Sequence, residues 1–356
     1  MGYIFNRSLF ARKTYRECIE RYGTDKPDLR FGNEIQDWTD HFKNNGLDDF
    51  SNHIKLSQCC VKGIVFHQNG TDMSVAELKR LEKQTLARTR LLSGSDTLLV
   101  SNFKVDATGD IRCSLLKKNF PKLVNSLGTK VDLRPDDIGF IVIGTNVHDS
   151  ASICAGTLRT ELSNLLYTPD PSEFQFLWVE DFPLFLPKEN DDNSKINKLE
   201  IESAHHPFTQ PHPVDMQLLE LSDNESTLSL EKLLKVRSLH YDLVLNGQEI
   251  GGGSVRISDP GLQKFIIQDI LGEDISELAH LLESLSFGCP PHGGIALGLD
   301  RLLAILCNAS SIRDVIAFPK GGDGKDLMSG APSSVHKEQL EEYHINVIND
   351  SNDCHI

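Results

Sequence analysis

Basic residues are in short supply here: 36 lysines and arginines stand against 51 aspartates and glutamates, a net charge of −15. That balance excludes a surface that holds nucleic acid by bulk positive charge, though not a local basic patch for an RNA end. Long apolar runs are missing as well. No stretch reaches the roughly 18 consecutive apolar residues of a membrane-spanning helix, so no membrane partner is expected. The eight cysteines include no CxxC pair. This removes the usual zinc-ribbon and dithiol patterns and points to reduced thiols in an intracellular compartment. Internal repeats and long low-complexity tracts are also absent, which excludes solenoids and arrays.

What is present suits a globular protein. The 356 residues, 39% hydrophobic and 24% charged, allow two or three domains around real cores. Arg7, Arg12, Lys13 and Arg16 precede the first acid, Glu17. That pattern is compatible with a mitochondrial targeting segment, but the residues run straight into an apparently folded stretch. Lys13–Tyr22 reads as a helix stopped by Gly23, and a second helical pattern covers Glu34–Phe42. Strand-like segments at Cys60–Phe66, Thr97–Phe103 and Ile138–Ile143 alternate with helical patterns at Val75–Arg88 and Ser150–Leu166. Such alternation predicts a separate α+β unit from about Ile54 to Asp170. An apolar strand ends at Pro183, an acid-rich loop covers Lys188–Asn197, and residues 346–356 make a polar tail.

Chemistry concentrates in three places. In YDLVLNGQEIGGGSVRI (241–257), Asn246-Gly247 between apolar runs is a strong hairpin signal. A two-residue turn pairs Leu245 with Gln248 and Val244 with Glu249, and so puts Asp242 and Glu249 on one face. Two such carboxylates suit an oxygen-preferring cation such as Mg²⁺. Arg256 lies an odd number of residues from Glu249, so a bulge in the glycine run is needed to bring both to the same face. There its planar fork would suit a carboxylate. The second place is SAHHPFTQPHP (203–213), where His205 and His206 precede a proline that keeps the chain extended. Imidazoles there can cover an anionic substrate. A zinc site using His206 and His212 is the alternative, without HExxH or CxxC support. The third is PPHGGIALGLDRLLAIL (290–306), a strand meeting a helix near Asp300. Arg301 in the first helical turn opposes the helix dipole, which marks it as a candidate phosphate contact.

ERYGTDKPDLRFG, LWVEDFPLF, HHPFT, YDLVLNGQEIGGGSVRI, GGIALGLDR and SIRDVIAFPK stand in this order. Together they resemble the C-terminal part of a class II aspartyl-tRNA synthetase of bacterial or mitochondrial type, from about Thr14 to Ile345. The resemblance implies an α+β fold: an antiparallel sheet flanked by helices, incomplete here, interrupted over residues 55–168 by the inserted α+β domain of the bacterial type, so that residues 1–54 and 169–345 are two segments of one catalytic domain. It implies ATP-dependent activation of L-aspartate and its transfer to tRNA-Asp. By motif, Arg256 would grip the aspartate side chain, and His205 and His206 would help close its pocket. Asp242 and Glu249 would hold Mg²⁺. Gly298, Leu299, Asp300 and Arg301 would line the ATP site, with Glu249, Arg256 and Arg301 carrying the catalysis. The family's anticodon-binding domain and its first two class II motifs, one of which builds the homodimer, have no counterpart in these residues. The reading is therefore of a truncated ligase, with a catalytically inactive synthetase-like binding protein as the alternative. A bacterial-type enzyme implies a bacterial cytoplasm or, in a eukaryote, the mitochondrial matrix.

Overall fold

The computed structural model describes residues 10–47, 50, 59–67, 73–93, 98–145, 149–188, 201–220 and 228–347. The basic N-terminal stretch up to residue 9, nearly all of the acid-rich loop expected from Lys188, and the tail from residue 348 lie outside them.

One five-stranded sheet is built from β1 (Ala11–Thr14), β7 (Phe176–Glu180), β10 (His240–Leu245), β11 (Gln248–Val255) and β12 (Gly293–Leu297), in that order. Three of its pairings are antiparallel, while β1 runs parallel to β7, matching Ala11 to Leu177 and Thr14 to Glu180. The antiparallel sheet expected from sequence is thus mixed at one edge. β1 replaces the start of the helix read over Lys13–Tyr22, because the ARKT segment has no pattern of its own and is recruited by the apolar edge of β7. The helix α1 begins at Tyr15 and ends at Tyr22. Thr14 and Glu17 cap each other's backbone reciprocally at its start, and Gly23 ends it with φ of 67°. α1 lays Cys18 on a core with Leu177, Val179, Phe182 and Val244. It therefore covers the sheet face that carries Val244.

A second five-stranded sheet has the order β2 (Gln36–Asp37), β3 (Cys59–Phe66), β6 (Ile138–Thr145), β4 (Leu99–Val105) and β5 (Ile111–Arg112). Its central strands are apolar on both faces, as a sheet covered on both sides requires. Helices α2 (Val75–Ser93) and α3 (Ser150–Leu166) cover one face, burying Leu78, Leu81, Ala155, Leu158 and Leu162 with Ile64, Phe140 and Val142. Trp38, Phe42, Leu116 and Phe120 cover the other, with Val61, Ile141 and Ile143. The helical pattern at Glu34–Phe42 resolves into β2 and one short helix, Thr39–Lys43. The Trp38 ring occupies the slot above Gly63, where any Cβ would overlap it, and Trp38 N–H donates to Val61 O at 2.9 Å. Residues 35–47 thus pack with the second sheet, ahead of the boundary that the sequence reading draws at 54/55. Two strands, β8 (Phe185–Pro187) and β9 (Ile201–Ser203), form a separate ribbon.

The described residues from Gly298 onward make a compact unit of their own. It opens with α4 (Leu299–Leu306). A turn around Asp326 follows, whose carboxylate accepts from the Met328 and Ser329 amides and from Lys320 Nζ. The GGDGKD segment (321–326) belongs to this turn.

Candidate functional site

The hairpin turns at Asn246 and Gly247, both with positive φ (49° and 81°). That is the backbone a tight two-residue turn needs, and asparagine and glycine adopt it most cheaply. Leu245 pairs with Gln248 and Val244 with Glu249, but the register then shifts, so Leu243 faces Gly251 and Asp242 faces Gly252. Ile250 is the extra residue. The bulge therefore sits one residue before the glycine run rather than within it, with the same consequence. Strand alternation resumed after Ile250 places Gly252, Ser254 and Arg256 on the same face as Glu249, Asp242 and His240.

Gly252 keeps that face bare. A Cβ built there would lie 2.7 Å from Asp242 Oδ1 and 3.4 Å from Glu249 Oε1, so both carboxylates border one small space. Asp242 is buried, and its Oδ1 lies 3.0 Å from His240 Nε2. The His205 ring stacks on His240 at 3.6 Å, and the Phe182 ring meets both edge-on at 5.1 and 4.9 Å. Burial, followed by the neighbouring His240, pushes the His205 imidazole down to about 4, so it is neutral at physiological pH. His240 Nδ1 is buried and has no hydrogen-bond partner among the described residues. The donor atoms of His205, His240 and Asp242 all lie within 4.8 Å of one another.

Arg256 stands further along the same face. Its Nη1 is 2.6 Å from Nε2 and 3.1 Å from Nδ1 of His206. Burial, and then the guanidinium, lower the His206 pKa, so the ring is held neutral against the cation. Arg256 also lines a cleft of about 420 Å³ with Phe208, Gln263, Leu285 and His292. The zinc alternative finds no geometry. His206 is turned to Arg256 and Thr209, while His212 Nδ1 accepts from the Val214 amide.

Besides His240, two contributors escaped the sequence reading, Lys26 and Arg159. Because α1 covers this face, the loop that follows it arrives beside the hairpin. Lys26 Nζ lies 3.2 Å from Asp25 Oδ2 and 3.3 Å from Glu249 Oε2. Arg159 on α3 holds that loop from behind. It is fully buried, donates to the carbonyls of Asp28 (3.1 Å), Phe31 (2.6 Å) and Asn33, and lies 5.0 Å over the Tyr22 ring. α1 and α3 touch where Gly23 meets Gly156, with no room for a Cβ on either. Charges in a proline loop were the available signal for Lys26. For Arg159, an arginine on a helix facing an apolar core, the signal was slight.

The structure thus brings together Asp242, Glu249, His205, His206 and Arg256, and adds His240 and Lys26. His240 stands two residues before Asp242, a spacing that predicts a shared face. Gly298 caps α4, with Leu299, Asp300 and the exposed Arg301 in its first turn, as the junction pattern predicted. Chemically, paired carboxylates suit a hard cation, and a guanidinium suits a planar anion.

Comparison with known proteins identifies the family. The family model for class II tRNA synthetases (D, K and N) matches residues 4–322. The mitochondrial aspartate–tRNA ligase of Mus musculus is 41% identical over 344 residues, covering 95% of this chain and 49% of the mouse protein. The mitochondrial aspartate–tRNA ligase of Dictyostelium discoideum is 36% identical, with 94% of this chain and 47% of the relative covered. The aspartate–tRNA(Asp/Asn) ligase of a Hydrogenobaculum strain is 35% identical, over 95% of this chain and 54% of its own length. The chain spans about half the length of the curated relatives it matches.

Proposed function

This chain belongs to the class II tRNA synthetases of the aspartate, lysine and asparagine group, and on that premise we propose that it carries the C-terminal, substrate-handling part of an aspartate–tRNA ligase. Its substrates are L-aspartate, ATP and tRNA-Asp. It works in the mitochondrial matrix of a eukaryote or in a bacterial cytoplasm, a reading supported by relatives that are mitochondrial or come from a Hydrogenobaculum strain. The observation that carries this reading is the single face shared by Arg256, Asp242 and Glu249, aligned by the bulge at Ile250.

The residues divide the work by charge. Arg256 offers two parallel N–H donors to the side-chain carboxylate of aspartate, a geometry that an asparagine amide meets with only one acceptor. Neutral His205 and His206 add polar edges to the pocket without repelling the substrate ammonium. Asp242 and Glu249 fit Mg²⁺, because both are oxygen donors bordering the one space that Gly252 leaves open. The ion, when bound, would neutralise charge on the ATP phosphates. Gly298, Leu299, Asp300 and Arg301 are assigned to the nucleotide by motif. The chemistry asked of the protein is positioning and charge stabilisation, with no protein nucleophile.

A binding measurement tests this independently of turnover. A non-hydrolysable aspartyl-adenylate analogue is titrated calorimetrically into the purified chain and into the Arg256→Gln variant. The expected result is saturable binding that prefers the aspartyl over the asparaginyl analogue. Loss of the buried charge pair should weaken it by about 2–4 kcal/mol, roughly 30- to 1000-fold. Equal affinity for both analogues, or an unaffected variant, overturns the assignment.

A further inference from the structure

We propose that His205, His240 and Asp242 form a binding site for a nitrogen-preferring divalent ion of the zinc class, separate in its donors from the all-oxygen pair Asp242–Glu249. The three donor atoms already lie within 4.8 Å of one another. A tetrahedral zinc ion with bonds of about 2.0–2.2 Å needs its donors only roughly an ångström closer than that limit. His240 Nε2 and Asp242 Oδ1, 3.0 Å apart, are nearly at that spacing. His205 supplies the adjustable arm. It is exposed, on the bend that follows β9, and its ring must turn from stacking on His240 to pointing a lone pair at the ion.

The 3.0 Å contact between His240 Nε2 and Asp242 Oδ1 needs one proton between the two atoms. A bound ion takes that proton's place, and the imidazole then carries its own proton on Nδ1. Two imidazoles and one carboxylate form a three-ligand set of the kind zinc accepts with an open position. Mg²⁺, which prefers oxygen, gains little from the two imidazoles.

The site shares Asp242 with the proposed magnesium pair. A zinc-class ion would therefore withdraw that carboxylate and inhibit in competition with Mg²⁺, a consequence that rests on the proposed function. The site itself does not, and it is tested without ATP or aspartate. Co²⁺ is titrated into the full chain while its visible ligand-field absorption is followed, and Zn²⁺ is used to displace it. A one-to-one site with the strong bands of low coordination number is expected. Even outer partners of a metal are worth about 10–100-fold, so His205→Asn and His240→Gln should each weaken binding at least about tenfold. Glu249→Gln should leave it nearly unchanged. If His240→Gln fails to fold, His205→Asn decides, because that ring is exposed. The proposal is overturned if no saturable Co²⁺ site appears. It is equally overturned if Glu249→Gln abolishes binding while the histidine variants keep it.

Discussion

Replacing Arg159 with methionine should destabilise the protein by about 2–4 kcal/mol and loosen the loop that carries Lys26. The guanidinium donates to three backbone carbonyls, those of Asp28, Phe31 and Asn33, and has no carboxylate partner in those contacts. Each carbonyl left without a donor costs about 1–3 kcal/mol when buried. Only the bond to Phe31 is buried at both ends, so water recovers part of the loss at the other two. Methionine also relieves the desolvation of a fully buried cation, worth several kcal/mol, which offsets part of the remainder. Urea unfolding measures the outcome as a lower midpoint at unchanged slope. Lysine at 159 keeps the charge but not the fork, and should fall between arginine and methionine. Amide hydrogen exchange locates the effect: residues 24–33 should exchange faster in the methionine variant while β3 and β6 stay protected. A loss below about 0.5 kcal/mol, or unchanged exchange in that loop, would refute the idea that Arg159 holds it.

Other perturbations follow from the same geometry. Gly252→Ala would push a methyl group against Asp242 Oδ1 and Glu249 Oε1. Mn²⁺ binding followed by electron paramagnetic resonance should weaken about tenfold or more, and unchanged affinity would separate the two carboxylates from the ion. Gly156→Ala would drive its Cβ into the Tyr22 carbonyl and Gly23. Calorimetry should register a loss of about 1–3 kcal/mol, and a neutral result would mean that the helix pair can part freely. His205 has its pKa lowered from 6.5 to about 4 in the folded protein, so on acidification the unfolded chain takes up a proton that the folded one refuses. Stability should hold above pH 6.5 and fall between 6.5 and 4. His205→Asn should show a shallower fall in urea midpoint over that window, and an identical pH profile would count against the shift.

Local signals survived into the structure where short-range chemistry decides the conformation. Asn246-Gly247 forms the expected turn, and the apolar spacing of Ser150–Leu166 gives a helix with the expected ends. The need for a bulge was legible from the odd separation of Glu249 and Arg256. Its position at Ile250 was not, because a bulge is placed by the partner strand rather than by the residues that contain it. The same limit explains β1, whose four residues become a strand only through β7. It also explains Trp38, whose segment is drawn to the second sheet by the slot above Gly63. Within the site, the acids and Arg256 were readable as a motif, whereas His240 and Lys26 gain their meaning from neighbours far along the chain. His240 depends on the ring of His205, and Lys26 on a loop fastened by a helix more than 120 residues away.

The abutment of Gly23 on Gly156 bears on any attempt to shorten this protein. Excising everything between residues 55 and 168 looks like a clean removal of an accessory module. It would in fact take away the surface on which the end of α1 rests, and with it the anchorage of the stretch that delivers Lys26 to Glu249. A trimmed version would need a replacement buttress, for instance a bulky apolar side chain at the end of α1 and a short rigid bridge between the cut ends. Relatives built without such an insertion must brace the equivalent stretch from some other quarter.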